Sequence, residues 1–309
     1  MSAELPAPSY STDFDPETDR PVTIAPGLVR ITAPNASAYT FTGTNSYVIG
    51  HDSVVIVDPG PDDSSHLDAL LELVAGRTVM AVLLTHTHRD HSALVRRLMA
   101  ATGAPLWSGG PHRLSRPLHR FERNPFRASG DFTLVPDRLV ADGDVLELDG
   151  FVLDVVATPG HCANHLSFAI RDTDLLVVGD HVMGWNSTVV AAPDGDLGDY
   201  LNSLDKVMAL PQNRYLPGHG DTIADGKAFA RALRAHRLMR NGQLIDVVRQ
   251  GALSLSAATK AVYPALTGGL AVGARSTLLS HAQYLEQRGD IGIRRGLFGV
   301  RLLPRLNRG

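Results

Sequence analysis

Seven consecutive residues, Thr85-His86-Thr87-His88-Arg89-Asp90-His91, hold three imidazoles and a carboxylate directly behind an apolar segment. The preceding residues 79–84 are apolar and flanked by polar residues, which is typical of a short buried strand. The following residues 92–101 carry their apolar side chains at helical spacing, with Gly103 beyond as a stop signal. The histidines are therefore predicted to lie in a turn between a strand and a helix, where sheet proteins commonly expose reactive groups.

This density of imidazole and carboxylate groups indicates a divalent metal site. Zinc and similar ions bind neutral imidazole and carboxylate oxygen, and His86 and His88 have the alternating spacing that aims two rings at one ion. Asp90 and His91 follow closely enough to serve a second ion. The alternative is a polar loop whose histidines only cap the following helix, and four such groups in one turn argue against it.

Composition sets limits on the class of protein. With 309 residues the chain is long enough for about two domains and a sizeable core. No apolar run approaches the roughly 18 residues of a membrane span, and the first residues lack the basic flank and apolar core of an export signal. We therefore expect a cytoplasmic protein without a membrane partner. The single cysteine, Cys162, excludes an intrachain disulfide and a zinc site made of thiolates alone.

Charge is distributed unevenly along the chain. Residues 240–309 carry ten Lys or Arg against three Asp or Glu, whereas residues 1–239 carry 19 against 29. A basic tail on an acidic body favours a polyanionic partner, with a solvated basic surface as an equal alternative. A second basic stretch contains Arg113, Arg116, Arg120, Arg123 and Arg127. If it folds over the metal turn, it supplies donors for phosphates or other anions, and the alternative is a surface loop.

Three further predicted strand ends carry a histidine or an aspartate. They are Thr158-Pro159-Gly160-His161, Gly179-Asp180-His181 and Pro217-Gly218-His219-Gly220. Gly and Asp are ordinary turn formers, so each turn alone is weak evidence for a site. Four strand ends with metal-binding groups on one chain are hard to explain by turn chemistry. Strands followed by alternating helices indicate a layered α/β body.

These residues resemble the metallo-β-lactamase superfamily of hydrolases. The match consists of the motif at residues 86–91 followed by His161, Asp180 and His219, in the family's order, and it covers roughly residues 25–225. The resemblance implies an α/β fold, a four-layer αββα sandwich over residues 22–235. Residues 1–21 are rich in Pro, Ser and Asp and show no periodicity, which predicts a flexible arm before the sandwich. The resemblance also implies two divalent metal ions, with Zn²⁺ as the first expectation and Mn²⁺ or Fe²⁺ as alternatives.

The same resemblance implies the roles of individual residues. One ion is held by His86, His88 and His161, the other by Asp90, His91 and His219, and Asp180 bridges them. Asp58 is expected to hold a ligand histidine by a hydrogen bond, and His165 and His181 are expected to contact the ligands or the substrate. Two ions about 4 Å apart can hold a hydroxide between them by lowering the pKa of water, so the expected enzyme is a dinuclear hydrolase with Asp90 and Asp180 as catalytic carboxylates.

A narrower resemblance concerns the substrate. Residues 44–47, 123–125, 158–165 and 200–204 are similar to a lactamase-β-like subgroup that includes endoribonucleases acting on single-stranded RNA. The first expectation is therefore a phosphodiesterase of this kind. One alternative is a glyoxalase-II-like thioester or ester hydrolase, and another is a nucleic-acid-binding protein with a vestigial hydrolase core. The expected partner is RNA or an anionic small molecule.

Residues 236–309 are predicted to form a winged-helix-like domain. Helical spacing at residues 244–248, 257–263 and 276–286 precedes a hairpin predicted around Arg294-Arg295-Gly296, an order that resembles the same subgroup. Such modules bind nucleic acid, pack on the catalytic body or form homodimers, and fold analogy leaves these roles open. The tail offers few aromatic side chains for stacking on bases, namely Tyr263, Tyr284 and Phe298.

Overall fold

Two β-sheets form the centre of the protein, which a computed structural model describes at residues 7–266, 268–297 and 299–305. The first sheet contains, as neighbours in chain order, β1 (Val22–Ala25), β2 (Leu28–Thr32), β3 (Asn45–Gly50), β4 (Ser53–Val57), β5 (Thr78–Leu83), β6 (Leu106–Ser108) and β7 (Arg138–Leu139). The second sheet contains, again as neighbours, β8 (Val145–Leu148), β9 (Phe151–Ala157), β10 (Leu166–Ile170), β11 (Leu175–Gly179) and β12 (Arg214–Pro217).

Helices make the crossover connections of three parallel strand pairs, whereas the fourth parallel pair, β6–β7, is joined by residues 109–137 without a helix. The pairs β4–β5, β5–β6 and β11–β12 are parallel, and parallel neighbours cannot be joined by a tight hairpin. The connecting helices are α1 (Ser64–Leu73), α2 (Arg89–Ser92), α3 (Val95–Thr102) and α4 (Leu197–Ala209). The helix predicted at residues 92–101 is thus divided between α2 and α3, and α3 ends as predicted at Gly103, which has a left-handed φ of 72°.

The apolar side chains form three layers of packing. Between the sheets lies a core that includes Leu83 of the first sheet and Phe168 of the second, both fully buried. Helices α1 and α3 cover the outer face of the first sheet, whereas α4 and α5 (Gly226–Arg249) cover that of the second. The result is the predicted order of helix, sheet, sheet and helix. None of the described helices is long and apolar enough to cross a membrane.

The carboxyl-terminal elements pack around a core of their own. After α5 follow β13 (Leu253–Ser254), α6 (Leu255–Val262), α7 (Gly268–Arg288), β14 (Ile291–Gly296) and β15 (Gly299–Pro304). The three strands form a small sheet in the order β13–β15–β14. The core contains Leu244 of α5, Leu278 and Ala282 of α7, and Leu302 of β15. The three predicted helical segments lie in α5, α6 and α7.

Two predicted details of this region differ from the structure. The boundary predicted between residues 235 and 236 lies inside α5, where Leu233 packs against the second sheet and Leu244 packs in the carboxyl-terminal core. The division into domains therefore stays a prediction. The predicted hairpin is present, because β14 and β15 pair antiparallel. Its turn does not lie at Arg294-Arg295-Gly296, because these residues continue β14, and Arg295 pairs with Glu286 of α7 at 2.9 Å. Phe298 lies outside the described residues.

Residues 7–21 contain no helix or strand, yet they contact the body. The Asp19 backbone N–H donates to the carbonyl oxygen of Thr32 at 2.9 Å, and its carboxylate is 2.8 Å from His66 Nδ1. The guanidinium of Arg30 lies over the ring of Phe14. Residues 1–6 lie outside the described residues, and the flexibility of the whole arm stays a prediction.

The buried ring of Phe168 offers a test of the central core. Phe168→Ala removes a fully buried side chain from between the sheets, so we expect the free energy of unfolding to fall by about 3–5 kcal/mol. Urea denaturation followed by circular dichroism measures the loss. Val135→Ala is the control, because Val135 is 73% exposed and its truncation should change the free energy by less than about 0.5 kcal/mol. Equal effects of the two substitutions would contradict this core.

Candidate metal centre

Polar residues that follow the carboxyl ends of five strands meet at one edge of the sandwich. Asp58 follows β4, and the turn that begins at Thr85 follows β5. His161, Asp180 and His219 follow β9, β11 and β12. All five are buried, because the loops that carry them fold over the edge of the two sheets. The side chains predicted to bind metal therefore lie together, although the chain separates them by more than a hundred residues.

Three imidazole nitrogens converge in the first ligand group. His88 Nδ1 is 3.1 Å from His86 Nε2 and 2.8 Å from His161 Nε2. The three ligand atoms lie within 4.8 Å of one another. Nitrogen lone pairs placed this close can share one ion with tetrahedral geometry. The structure thus brings together the three residues predicted for one ion.

The second ligand group contains two imidazoles and two carboxylates. His91 Nε2 and His219 Nε2 are 3.3 Å apart, and Asp90 Oδ2 is 3.4 Å from His219 Nε2. Asp180 Oδ1 is 3.4 Å from both of these nitrogens. Its other oxygen, Oδ2, is 3.6 Å from His161 Nε2 of the first group. Asp180 therefore lies between the groups with one oxygen toward each, in the position predicted for a bridging ligand.

Each of the five histidines uses its second ring nitrogen for an outward contact. The partners are Thr85 Oγ1 for His86 Nδ1 at 3.0 Å, Asp194 Oδ2 for His88 Nε2 at 2.8 Å, Asp58 Oδ2 for His91 Nδ1 at 2.9 Å, the Val189 carbonyl for His161 Nδ1 at 2.7 Å and the Gly43 carbonyl for His219 Nδ1 at 3.0 Å. An N–H donated outward leaves the inward nitrogen with a free lone pair. These contacts therefore orient the rings for metal binding.

Asp58, predicted as a supporting carboxylate, connects the end of β4 to the histidine-rich turn. It has a positive φ of 52°, a conformation that Asp tolerates better than most residues. Its Oδ1 accepts from the Thr85 backbone N–H at 2.7 Å, and its Oδ2 accepts from Thr85 Oγ1 at 2.6 Å and from His91. One buried carboxylate thus holds both the backbone of the turn and one ligand ring.

His165 and His181 lie next to the ligands without joining either group. The Asp180 backbone N–H donates to His165 Nε2 at 3.2 Å, while His165 Nδ1 is 2.8 Å from Thr158 Oγ1. Burial, followed by the charges of His181 and His161, lowers the pKa of His165 well below its usual value, so the ring is neutral and can accept. His181 packs behind it, with ring centroids 6.2 Å apart, and against Tyr200. His165 therefore positions Asp180.

The sequence did not indicate two further residues, Asp194 and His112. Asp194 Oδ2 contacts His88 Nε2, and Asp194 Oδ1 is 3.1 Å from His112 Nε2. Burial alone would raise the pKa of Asp194, but His112 and His88 hold it well below its usual value. Asp194-Gly195 looks like an ordinary turn in the sequence, and His112 is an isolated histidine. Only the fold brings them to His88.

Although burial opposes it, neighbouring carboxylates raise the pKa of three ligand histidines, His88, His91 and His219. Burial opposes a charge on His91 and His219, but the Asp180 and Asp90 carboxylates outweigh it. They raise the pKa of His219 to about 9 and that of His91 well above its usual value. Burial and the charge of His88 lower the pKa of His161 to about 4. Although burial alone would raise the pKa values of Asp90 and Asp180, the neighbouring His91 and His219 hold them well below the usual range.

The donor set fits divalent metal ions. Imidazole nitrogen and carboxylate oxygen are the ligands that zinc and related ions bind, and both groups offer three or more such atoms. Asp180 Oδ1 is buried and has no hydrogen-bond partner among the described residues. The nearest nitrogens, His91 Nε2 and His219 Nε2, are both 3.4 Å away, so a metal ion held by these side chains would satisfy this oxygen. We conclude that these residues can hold metal ions.

A pocket of about 290 Å³ opens onto the ligands, and we refer to it as the metal pocket. Its polar lining residues are Thr40, His88, Arg89, Asp90, Ser129, His161, Asp180 and Asp194. Its apolar lining consists of Tyr39, Phe126, Met183, Val189 and Ala191, and we call these residues the apolar wall. A substrate that reaches the metal ligands therefore lies against the apolar wall.

The five predicted substrate-binding arginines lie outside the metal pocket. Arg113 donates to the Ala163 carbonyl at 2.8 Å, Arg116 pairs with Glu122 at 2.7 Å, and Arg127 lies over the Phe132 ring. Arg120 and Arg123 line a separate cavity of about 550 Å³, together with Arg275 of α7 and Arg295 of β14. We call it the arginine cavity. The role of the five arginines in substrate binding stays a prediction.

Protonation of His91 and His219 predicts a pH dependence of metal binding. Their raised pKa values mean that both rings carry protons at neutral pH in the ion-free protein, and a divalent ion must displace them. Between about pH 6 and 8 we expect the apparent Zn²⁺ affinity to rise roughly tenfold per pH unit for each displaced proton, and to level off above about pH 9. Calorimetry in buffers of different ionisation enthalpy measures the released protons. An affinity that stays constant over this range would contradict the assignment.

Removing the Asp58 carboxylate should weaken metal binding without touching a ligand. Asp58→Ala takes the acceptor from His91 Nδ1 and from Thr85, so we expect a loss of about 10–100-fold in metal affinity, measured by competition with a chelator. Asp246→Ala is the control, because Asp246 is a 72% exposed carboxylate on α5. Unchanged affinity in a folded Asp58→Ala protein would show that this carboxylate does not position the ligand.

Comparison with known proteins agrees with this geometry. The family model described as the metallo-beta-lactamase superfamily matches residues 39–219. The atrochrysone carboxyl ACP thioesterase of Aspergillus chevalieri is 30% identical over 230 residues, which are 74% of this chain and 67% of that protein. The beta-lactamase-like protein 2 homolog of Caenorhabditis elegans is 28% identical over 231 residues, which are 74% of this chain and 72% of that protein.

Two solved structures share almost the whole architecture. A beta-lactamase domain protein from Burkholderia ambifaria has a TM-score of 0.79 at 20% identity and covers 96% of this chain and 97% of its own, a likeness of fold alone. A metallo-beta-lactamase family protein from Thermus thermophilus has a TM-score of 0.75 at 25% identity and covers 92% of this chain and 100% of its own. This chain therefore belongs to the metallo-beta-lactamase superfamily and is a metal-dependent hydrolase of that family.

Proposed function

We propose that the protein hydrolyses acyl thioesters at a centre of two divalent metal ions, with Zn²⁺ as the first choice. The observation that carries the proposal is the apolar wall of the metal pocket, whose residues Tyr39, Phe126, Met183 and Val189 line the same pocket as the ligands. An acyl group can bury its apolar surface against such a wall, whereas a polyanion cannot. The relative named as an ACP thioesterase supports the same choice.

Ions held by the seven ligands would supply a nucleophile from water and polarise the carbonyl oxygen. The chain itself positions the reactants. Asp90 is the ligand carboxylate most open to the pocket, with 29% of its side chain exposed, against 8% for Asp180. Its Oδ2 can accept a hydrogen bond from water that enters the pocket and orient that water toward the carbonyl carbon of the substrate. Asp180 and His165 keep the two ligand groups at a fixed separation.

The protonation state of the pocket favours thioesters over oxygen esters. Asp90 and Asp194 both line the metal pocket. In this proposal Asp90 is a ligand of a bound ion, and Asp194 Oδ2 accepts from His88 Nε2 at 2.8 Å, so both act as carboxylates. Both therefore stay ionised and cannot protonate a leaving group. A thiol with a pKa near about 8.5 leaves as a thiolate without a proton, whereas an alkoxide needs one. The site thus suits the better leaving group.

Cleavage of single-stranded RNA is the second candidate, and the arginine cavity favours it. There the predicted basic stretch meets the basic tail, because Arg120 and Arg123 face Arg275 and Arg295. Phe121, 61% exposed, lines the same cavity and could stack on a base. In this proposal the carboxyl-terminal elements act as a winged-helix-like RNA-binding module. It ranks second because these arginines line a cavity other than the metal pocket.

A nucleic-acid-binding protein with a vestigial hydrolase core ranks third, since all seven candidate ligands are present and their rings are oriented.

Parallel assays distinguish the candidates. We expect the zinc-loaded protein to hydrolyse the octanoyl thioester of N-acetylcysteamine faster than a single-stranded RNA oligonucleotide or bis-nitrophenyl phosphate. Asp180→Ala removes the central ligand and should lower thioester turnover by about a thousandfold or more, with an unchanged circular dichroism spectrum.

Asp246→Ala, an exposed carboxylate, is the matched control and should keep full activity. Turnover of RNA alone, with an affinity that falls steeply as salt rises, would replace the first candidate by the second. Full activity of Asp180→Ala would remove the metal-centre assignment itself.

A further inference from the structure

A second cavity of about 580 Å³ adjoins the metal pocket, and we refer to it as the outer cavity. It lies between the catalytic layers and helices α5 and α7. Tyr39, Met183 and Val189 line both the outer cavity and the metal pocket. A molecule whose reacting carbon lies at the metal ligands can therefore extend past these three side chains into the outer cavity.

Much of the outer cavity is apolar. Its lining includes Trp185, Tyr263, Pro264, Leu266 and Leu270. Leu266 and Leu270 are each 40% exposed, which is unusual for two large apolar side chains beside one cavity. An apolar group bound here would remove that surface from water, at roughly 25 cal/mol for each Å². The cavity is large enough for an acyl chain or an aromatic acyl group.

Arg237 of α5 brings a positive charge to the outer cavity without a negative partner. Its side chain is almost fully buried. The guanidinium donates to the carbonyl oxygen of Thr188 and lies 5.3 Å from the ring centroid of Tyr200. Neither contact supplies a negative charge. Burying a guanidinium without a carboxylate is costly, so an anion that enters the cavity would be stabilised.

Arg240, one turn further along α5, repeats this arrangement. It donates to the Val262 carbonyl at 3.0 Å and to Gln243 Oε1 at 2.8 Å, and it lies 4.8 Å from the ring centroid of Tyr263. Neither arginine forms an ion pair among the described residues, and no Asp or Glu lines the outer cavity there. The Nε atoms of both guanidinium groups are buried and lack a hydrogen-bond partner within the described part of the chain.

The pKa of the neighbouring His236 is lowered in part by the same positive charges. It also lines the outer cavity. Burial first, and then the charges of Arg237 and Arg240, lower the pKa of His236 to about 4. The ring is therefore neutral at physiological pH and offers a hydrogen bond rather than a charge. Arg237 and Arg240 line the outer cavity but not the metal pocket, so the positive end is separate from the reacting centre.

We propose that the outer cavity binds the acyl group of the substrate and that Arg237 and Arg240 hold a carboxylate at the end of that group. This inference rests on the proposed thioesterase function and narrows its substrate class. The preferred substrates are thioesters whose acyl group has an apolar body and a terminal carboxylate. The carboxyl-terminal elements, through α5 and α7, then select the acyl group.

Two thioesters of equal chain length test the proposal. The octanoyl and mono-suberoyl thioesters of N-acetylcysteamine differ only in the terminal carboxylate. We expect wild-type kcat/KM to be at least tenfold higher for the suberoyl thioester. Arg240→Met should lower kcat/KM at least tenfold for the suberoyl thioester and change it less than twofold for the octanoyl thioester, while Arg240→Lys should keep part of the preference. Arg231→Met is the control, because Arg231 is exposed on the same helix and does not line the cavity.

Direct binding gives a readout that does not depend on turnover. Calorimetric titration with the monoamide of suberic acid, which has one terminal carboxylate, and with octanamide, which has none, should show tighter binding of the monoamide to wild type and a smaller difference with Arg240→Met. An equal loss for both thioesters in Arg240→Met, or no wild-type preference for the suberoyl thioester, would overturn the proposal. Failure to hydrolyse either thioester would instead overturn the proposed function on which it rests.

A second variant tests the path between the two cavities, should Arg240→Met fold poorly. Gly273 of α7 lines the outer cavity, and a Cβ built there would lie 3.5 Å from Tyr39 Oη and 3.9 Å from Phe126 Cζ, which is ordinary contact. Gly273→Leu would therefore extend toward the two rings that line the metal pocket. We expect at least a tenfold lower kcat/KM for the suberoyl thioester and less than a twofold change for the acetyl thioester. Equal kcat/KM changes for both would show that acyl groups do not enter the outer cavity.

Discussion

The carboxylate of Asp180 lies between two groups of ligands that neither sheet could form alone. One group depends on His86 and His88 from the first sheet and His161 from the second, and the other combines His91 with His219 in the same way. The separation of the two sheets, set by side chains such as Leu83 and Phe168, therefore determines the distances between ligands. A change in that packing would alter the metal centre before it altered the fold.

Around this centre the protein places two kinds of surface. Buried acceptors, such as Asp58, Asp194 and the carbonyl oxygen of Val189, orient the ligand rings from behind. Apolar side chains, such as Tyr39 and Met183, line the pocket that opens onto the ligands. The first set fixes the orientation of the rings, and the second gives a substrate an apolar surface against which it can bury its own apolar groups. This combination is why we favour hydrolysis of a carbonyl group over cleavage of a polyanion.

The candidate ligands were predicted in part from local spacing, for the turn at residues 85–91, and in part from the family resemblance, for His161, Asp180 and His219. Three histidines and an aspartate within seven residues, and single His or Asp residues at strand ends, are recognisable without knowledge of the fold. Asp194 and His112 were not predictable, because each is isolated in the sequence and only tertiary contacts bring them to His88. Backbone carbonyls that accept from a ligand histidine, such as that of Gly43, cannot be recognised in the sequence, since every residue has a carbonyl group. The basic stretch was visible, but its placement over a separate cavity depends on how the connection between β6 and β7 folds.

Helix α5 runs for 24 residues without a break and contributes to two cores, with Leu233 in one and Leu244 in the other. A rigid helix has no hinge, so a shift of either core is transmitted to the other as a rotation about the helix axis or a movement along it. No flexible linker separates the two cores at α5, so the carboxyl-terminal elements cannot be replaced as an independent unit at that point. A chimera with a relative would have to join the two chains within the helix and preserve the angular register of every turn, because inserting one residue would rotate the following face by about 100°.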